Sequence, residues 1–352
     1  MHKPPHLYDH SQALMDLTSL FVEQITARLP VVLYSLPLST ELVCLADNAV
    51  YSEESEFRFI ARPFSEGSAI IGFKGDFEVS TEVFGACPLD TIPQQHREPE
   101  AEYLDMINNA VEMMQQGSLS KIVLSRVEKF PLGATFNLIN TLKQLRLQNP
   151  NAFCYALYHP SAGTWIGATP EVLLHKESRK YTTMALAGSM PLDASRNWNE
   201  KEQAEHRFVI DYITQQLSDL KIDNLEITGP DTVYAGSVKH LCTLFAFESD
   251  SGIGQMADRL HPTPAVCGTP YHLANATIPQ LEKHERELYT GYLGPVRGDE
   301  AALFVNLRCM KIEGTSALLY LGGGITAESN AVQEWNETEW KSETLLKVLR
   351  NG

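Results

Sequence analysis

Between residues 119 and 325 the apolar runs of strand length follow one another instead of alternating with helices. S-K-I-V-L-S-R-V, A-F-C-Y-A-L-Y, T-W-I-G-A, A-L-F-V-N-L-R-C-M and A-L-L-Y-L-G read as strands, whereas helical periodicity is confined to about 136–147, 200–220, 253–260 and 331–350. A doubly wound parallel sheet needs a helix between successive strands. This spacing therefore predicts an α+β fold of large antiparallel β-sheets enclosed by helices. Residues 12–28 read as a helix, with Leu14, Leu17, Phe21, Ile25 and, just beyond, Leu29 near the helical period. The runs V-V-L-Y-S-L, F-R-F-I-A-R and A-I-I-G-F-K-G predict a β-rich region after them, to about residue 85. The polar stretch T-I-P-Q-Q-H-R-E-P-E then precedes an amphipathic helix with Tyr103, Ile107, Val111 and Met114 on one stripe, ended by Gly117. We read 1–95 as the N-terminal β-rich part and 96–352 as the region that carries chemistry. The two form a single domain, because the boundary lacks the Gly/Ser richness of a mobile linker.

The 352 residues, 43% hydrophobic and 20% charged, are enough to bury a large core. A formal net charge of -16 argues against nucleic acid as a partner and favours a small molecule. No apolar run approaches the roughly 20 residues of a membrane span, and the start M-H-K-P-P-H-L-Y-D-H-S has no stretch of signal-peptide type. The expectation is a cytoplasmic protein with no membrane partner. Cysteines 44, 87, 154, 242, 267 and 309 form no C-x-x-C pair and mostly lie in apolar runs, as reduced core residues would.

Two distant helical stretches put carboxylates where an apolar face is expected. In E-K-E-Q-A-E-H-R-F-V-I-D-Y-I, Glu205 shares a stripe with Val209 and Tyr212. In E-W-N-E-T-E-W-K-S-E-T-L-L, Glu334, Glu337 and Lys341 share one with Leu345. An unpaired inward carboxylate is costly, so two such helices point to a shared hard cation such as Mg2+, held by oxygen ligands with substrate completing its shell. That is the chemistry of an enzyme.

Several single residues carry a functional reading beside a structural one. Strand alternation puts Lys121 on one face with Val123, Ser125 and Val127, where burial favours the neutral amine and hence a general base; a lysine snorkelling to water is the alternative. Glu171, directly after Pro170, is placed to be a general acid with a raised pKa, or simply to begin a turn or helix. Gly322, Gly323 and Gly324 offer backbone N–H groups to a carboxylate, or form a tight turn. His240 and His261 lack metal-ligand spacing and read as hydrogen-bonded core residues as readily as catalytic ones. Arg308, read as sharing a strand face with Asn306, is a candidate carboxylate clamp or a structural ion-pair partner.

Taken in order, K-I-V-L-S-R, G-A-T-P-E-V-L-L, A-L-A-G-S, K-E-Q-A-E-H-R-F-V-I-D-Y-I, L-H-P-T-P-A-V-C-G, E-L-Y-T-G-Y-L-G, N-L-R-C, G-G-G-I and E-W-N-E-T-E-W-K resemble the motifs of the chorismate-utilising enzymes, most of all the isochorismate synthases. The resemblance covers about residues 100–350 and implies a fold like that of anthranilate synthase component I and aminodeoxychorismate synthase, binding chorismate and Mg2+ in a cleft. It implies Lys121 as the base that activates water for attack at C2, and Glu171 as the acid that protonates the departing C4 hydroxyl. Glu205 and Glu337 become metal ligands, with Glu202 and Glu334 behind them or bound through water. Gly188 and Ser189 line the site, as does Ala265 in L-H-P-T-P-A. Tyr289, Arg308, Gly322, Gly324 and Lys341 bind the substrate carboxylates, and His240 belongs to the same set.

Within the family, a lysine at 121, A-G-S rather than A-G-T-R, and Ala265 resemble the isochorismate synthases. The alternatives are salicylate synthases, which also eliminate pyruvate, and the aminating anthranilate and aminodeoxychorismate synthases. No glutaminase subunit is implied, and a monomer is the expected state. A non-catalytic chorismate-binding module would have lost Lys121, Glu171, Glu205 or Glu337, all of which are present. Menaquinone and siderophore biosynthesis both remain open as the pathway served.

Overall fold

The computed structural model describes residues 10–51, 57–82, 98–117, 119–236 and 238–350. Among them the chain runs α1 (His10–Ala27), β1 (Val31–Ser35), β2 (Glu41–Ala46), β3 (Phe59–Arg62), β4 (Ile71–Phe73), β5 (Phe77–Glu82) and α2 (Ala101–Gln115). It continues through β6 (Lys121–Pro131), α3 (Leu138–Gln148), β7 (Phe153–His159), β8 (Gly163–Thr169), β9 (Val172–Glu177), β10 (Lys180–Pro191) and α4 (Glu200–Ser218). Then come β11 (Asp223–Ala235), β12 (Val238–Glu248), α5 (Ile253–Leu260), β13 (Gly268–Thr269) and α6 (Tyr271–Leu281). The last elements are β14 (Tyr292–Arg297), β15 (Glu300–Val305), β16 (Cys309–Glu313), β17 (Ser316–Ile325) and α7 (Ala331–Leu349).

The strands form two sheets, ordered β13-β6-β17-β16-β8-β7-β1-β2-β5 and β11-β12-β10-β9-β15-β14-β3-β4. Neighbours in both are antiparallel, as in the β6–β17 and β10–β12 ladders. The N-terminal strands are built into the same sheets as the rest, through β1 on β7 and β3 on β14. The boundary near residue 95 lies outside the described residues.

Alternation along β15 shows how the layers are made. Ala302 and Phe304 face a core between the sheets, where Phe304 stacks on Phe153 with ring centroids 4.3 Å apart. Ala301, Leu303 and Val305 face the other way, toward Val209, Ile213 and Leu217 of α4 and Met256 and Leu260 of α5. The outer face of the first sheet is covered by α1, α3 and α7 through Leu17, Phe21, Leu142, Leu145, Leu345 and Leu346. At the β6 end, α2 and α6 complete the cover, with Ile107 and Met114 beside Ile122 and Trp335. Truncating such a buried aliphatic side chain to alanine costs about 2–5 kcal/mol. The side chain of Leu14 and all of Cys87 lie outside the described residues, whereas the other five cysteines are buried free thiols. Among the described residues no helix is long and apolar enough to cross a membrane.

Three expectations need correction. N-L-R-C-M is not one strand: the chain leaves the second sheet at Val305 and joins the first at Cys309, and Arg308 turns it with a left-handed φ of 49°. Asn306 and Arg308 therefore share no strand face. G-G-G is not a turn, because Gly322, Gly323 and Gly324 continue β17 opposite Ser125, Leu124 and Val123. Helix α6 was not foreseen, since Pro279 lies inside it and no side chain caps its start.

Candidate active site

Among the described residues successive strands change sheets six times, and two of these crossings lie side by side. β8 in the first sheet gives way to β9 in the second across Pro170 and Glu171, and β15 in the second gives way to β16 in the first across residues 306–308. The amide of Val305 donates to the carbonyl of Glu171 at 3.0 Å, and that of Ala168 to the carbonyl of Arg308 at 3.1 Å. A crossing exposes side chains that a continuous ladder would bury in the sheet. Here it leaves Glu171 and Arg308 on the wall of one cleft.

The same cleft is lined by Lys121, Glu205, Glu337, Lys341, His240, Gly188, Ser189, Ala265, Tyr289, Gly322 and Gly324. Thirteen of the fifteen residues that the resemblance implies for the site thus share one cavity. Glu334 and Glu202 stand behind it, buried and away from the lining. Gly323 of the glycine run lines it as well, and so do Leu307, Thr290, Tyr320 and Val266, which sequence reasoning did not find. Those four carry no local signal.

Lys121 opens β6 and is only 2% exposed, so it does not snorkel. Burial lowers its pKa below the usual lysine value, opposed by the negative charge of Glu205. Its stem crosses the floor at Gly324, where a methyl group would stand 2.8 Å from Cε and 3.3 Å from Nζ. A methyl group on Gly322 would meet the Tyr289 hydroxyl at 2.6 Å. These glycines act as space for neighbouring side chains.

Glu171 is 3% exposed, and burial pushes its pKa up to about 8 against the opposing charges of Lys121, Lys341 and Arg308. Base and acid candidates therefore share a cleft with proton affinities displaced in opposite directions from their ordinary values.

Arg308, 7% exposed, has its pKa lowered to about 10 by burial. Its guanidinium contacts are Thr344 Oγ1 at 3.4 Å and His240 Nε2 at 3.2 Å. The His240 Nδ1 lies 2.9 Å from the carbonyl oxygen of Gly188, which can only accept, so Nδ1 carries the proton and Nε2 accepts from Arg308. Burial keeps the ring neutral, with a pKa lowered to about 3. Gly188 reaches this position through a bulge in β10, at φ 71°, with Glu202 Cβ 3.2 Å from where a methyl would be. His261 is a core histidine bonded to the Thr290 carbonyl at 2.8 Å.

The acidic wall comes from α4 and α7. Asn199 caps α4 and forms a capping box with Glu202, whose Oε2 accepts from the Asn199 amide at 2.8 Å. Asn330 caps α7 by accepting from the amide of Gln333. The stripes beyond these caps bury Glu205 with Val209 and Ile213, and Glu334 with Trp335, Thr338 and Leu345. Burial pushes Glu205 up to about 7, and pushes Glu334 up with help from Glu337. Burial pushes Glu337 up, but the charge and hydrogen bond of Lys341, whose Nζ lies 2.6 Å away, together with the charge of Lys201 hold it below the usual range.

Among the described residues no three His, Cys, Asp or Glu side chains form a ready-made metal cage. Magnesium does not require one. It is commonly held by one or two carboxylates with substrate oxygens and water. Glu205 and Glu337 supply hard oxygen donors on the cleft wall, Glu334 stands behind them, and the buried Tyr103 hydroxyl in the field of Glu334 and Glu337 has no hydrogen-bond partner. The donor set fits a small divalent cation.

Residues 35–350 match the sequence profile of the family described as chorismate binding enzyme. The chain belongs to that family. It is 30% identical over 276 residues to isochorismate synthase 2, chloroplastic, of Arabidopsis thaliana, an alignment that covers 74% of this chain and 49% of that enzyme. The chain thus spans about half the length of that relative. It is 28% identical over 274 residues to isochorismate synthase EntC of Escherichia coli strain K12, covering 74% of this chain and 70% of EntC. Its fold is similar to that of MenF, the menaquinone-specific isochorismate synthase from Escherichia coli, with a TM-score of 0.75 at 21% identity over 91% of this chain and 88% of that one.

Proposed function

We propose that this family member is a magnesium-dependent isochorismate synthase, converting chorismate to isochorismate. The observation that carries the reading is the pair Lys121 and Glu171, buried on one cleft with opposed pKa shifts. The curated isochorismate synthases that the chain resembles support it.

In this reading the Lys121 amine, kept closer to neutrality by burial, takes a proton from water as its oxygen bonds to C2 of the ring. Both ring double bonds shift, from C1=C2 to C1=C6 and from C5=C6 to C4=C5, the C4–O bond breaks, and Glu171 gives its proton to the departing hydroxyl, which leaves as water. One water enters and one leaves, so the reaction is an isomerisation. Arg308, with no carboxylate within ion-pair distance among the described residues, accepts a substrate carboxylate, oriented by neutral His240. Tyr289, Lys341 and the space over Gly322 and Gly324 complete the bed. Glu205 and Glu337 would hold Mg2+, which supplies positive charge to the ring carboxylate. Holding the substrate by its charges between base and acid is the main catalytic device.

Product identification tests this reading. Purified protein given chorismate and Mg2+ should form isochorismate without pyruvate and without need of ammonium. Stoichiometric pyruvate would make it a salicylate synthase, and ammonium-dependent anthranilate would place it among the aminating enzymes.

A further inference from the structure

Each of the four acidic side chains faces a basic side chain of the protein. Arg196 donates to Glu202 Oε2 at 3.1 Å, and Lys341 Nζ lies 2.6 Å from Glu337 Oε1. Lys121 acts on Glu205 by charge. Lys201, one residue into α4, lies 2.6 Å from Glu334 Oε1 and 3.9 Å from Glu205 Oε1, so one ammonium spans carboxylates of two helices. Lys121 and Lys341 line the cleft, and Arg196 pairs with the residue that closes the capping box. Lys201 does not line the cleft and no step of the proposed reaction uses it.

We propose that Lys201 is a displaceable counter-cation. Its ammonium neutralises Glu205 and Glu334 while the acidic wall is free of metal, and it swings to solvent when a divalent ion binds. This rests on the reading of Glu205 and Glu337 as magnesium ligands. Three features carry it. Glu334 is 1% exposed and cannot turn to water, so its ionised form needs a cation beside it. The Lys201 side chain is 25% exposed, on a flexible stem that reaches solvent. A divalent ion on Glu205 would also put positive charge close to an ammonium already 3.9 Å from that carboxylate, and like charges at such range repel. Metal uptake is then an exchange of cations, with apparent affinity lowered by the ion pair that must break.

The test compares the full-length wild type with Lys201→Met, both stripped with chelator, by calorimetric titration with Mg2+ alone. The variant should bind Mg2+ about ten-fold more tightly, and its metal-free form should melt at a lower temperature and gain more from Mg2+. Uptake by the wild type with an unchanged or weakened constant in the variant would overturn the counter-cation role alone. No uptake by either protein would overturn the magnesium reading and this inference with it. Should Lys201→Met not fold, amine labelling of the wild type followed by mass spectrometry decides: Mg2+ should raise Lys201 labelling several-fold relative to the other surface lysines, and an unchanged or reduced rate contradicts the proposal.

Discussion

Glu171 and Arg308 occupy two adjacent points among those at which the chain passes from one sheet to the other, and the backbone around each is hydrogen-bonded to that around the other. An acid and a guanidinium are thereby fixed on rigid strand ends rather than on a free loop. Lys121 and Gly324 do the same from the facing strands β6 and β17. Predictions follow from how these groups are held.

Replacing Lys121 with alanine should lower turnover on the order of 10²–10⁴-fold, the usual worth of a general base. Chorismate binding in the presence of Mg2+ should remain close to wild type by calorimetry, because Arg308, Tyr289 and Lys341 are untouched. A variant of near wild-type activity would remove the base assignment.

Glu171 must be protonated to act, and its pKa is pushed to about 8, so kcat/KM should fall as pH rises through that value. Glu171→Gln should lose this alkaline limb along with most activity. The stability effect has a definite sign. The folded pKa lies above the unfolded value of about 4.3, so the folded state holds the proton more tightly and wild type loses stability as pH rises through about 8. The glutamine variant cannot ionise, so its melting temperature relative to wild type should rise between about pH 5 and about pH 9. A constant difference would show that Glu171 ionises without cost.

Gly324→Ala should displace the Lys121 ammonium, since the added methyl would stand 2.8 Å from its Cε. The backbone there is ordinary strand, so the fold should survive while kcat falls on the order of 10²-fold, as misplacement of a reacting group by about 1 Å does. Steady-state kinetics with a melting curve on the same sample separates the two effects. Loss of fold with no specific loss of kcat would contradict the placement.

Much of this was legible in the sequence where one rule acted alone. Helices α2, α4 and α7 follow apolar stripes and Asn or Gly punctuation, and the antiparallel architecture follows from strands that succeed one another without helices. The acidic side chains of α4 and α7 announced themselves by interrupting an apolar stripe. What sequence could not show is where a ladder is broken by tertiary demand. Val305 and Cys309 keep the alternation of a single strand, yet a left-handed Arg308 between them moves the chain to the other sheet. The glycines of β17 look like a turn because their purpose, room for Lys121 and Tyr289, involves residues far away in the chain. Strand β11 escaped notice because it is an exposed edge, polar and interrupted by Pro230. Lys201 stood i−4 from Glu205 throughout, but its reach to Glu334 spans 133 residues and needs the folded chain.

The central claim is that Lys121 activates a water molecule for addition at C2. Turnover of unlabelled chorismate in H2(18)O, with mass spectrometry of the product, tests it most directly. The account predicts isochorismate carrying one labelled oxygen, at C2; product that retains only unlabelled oxygen would contradict it.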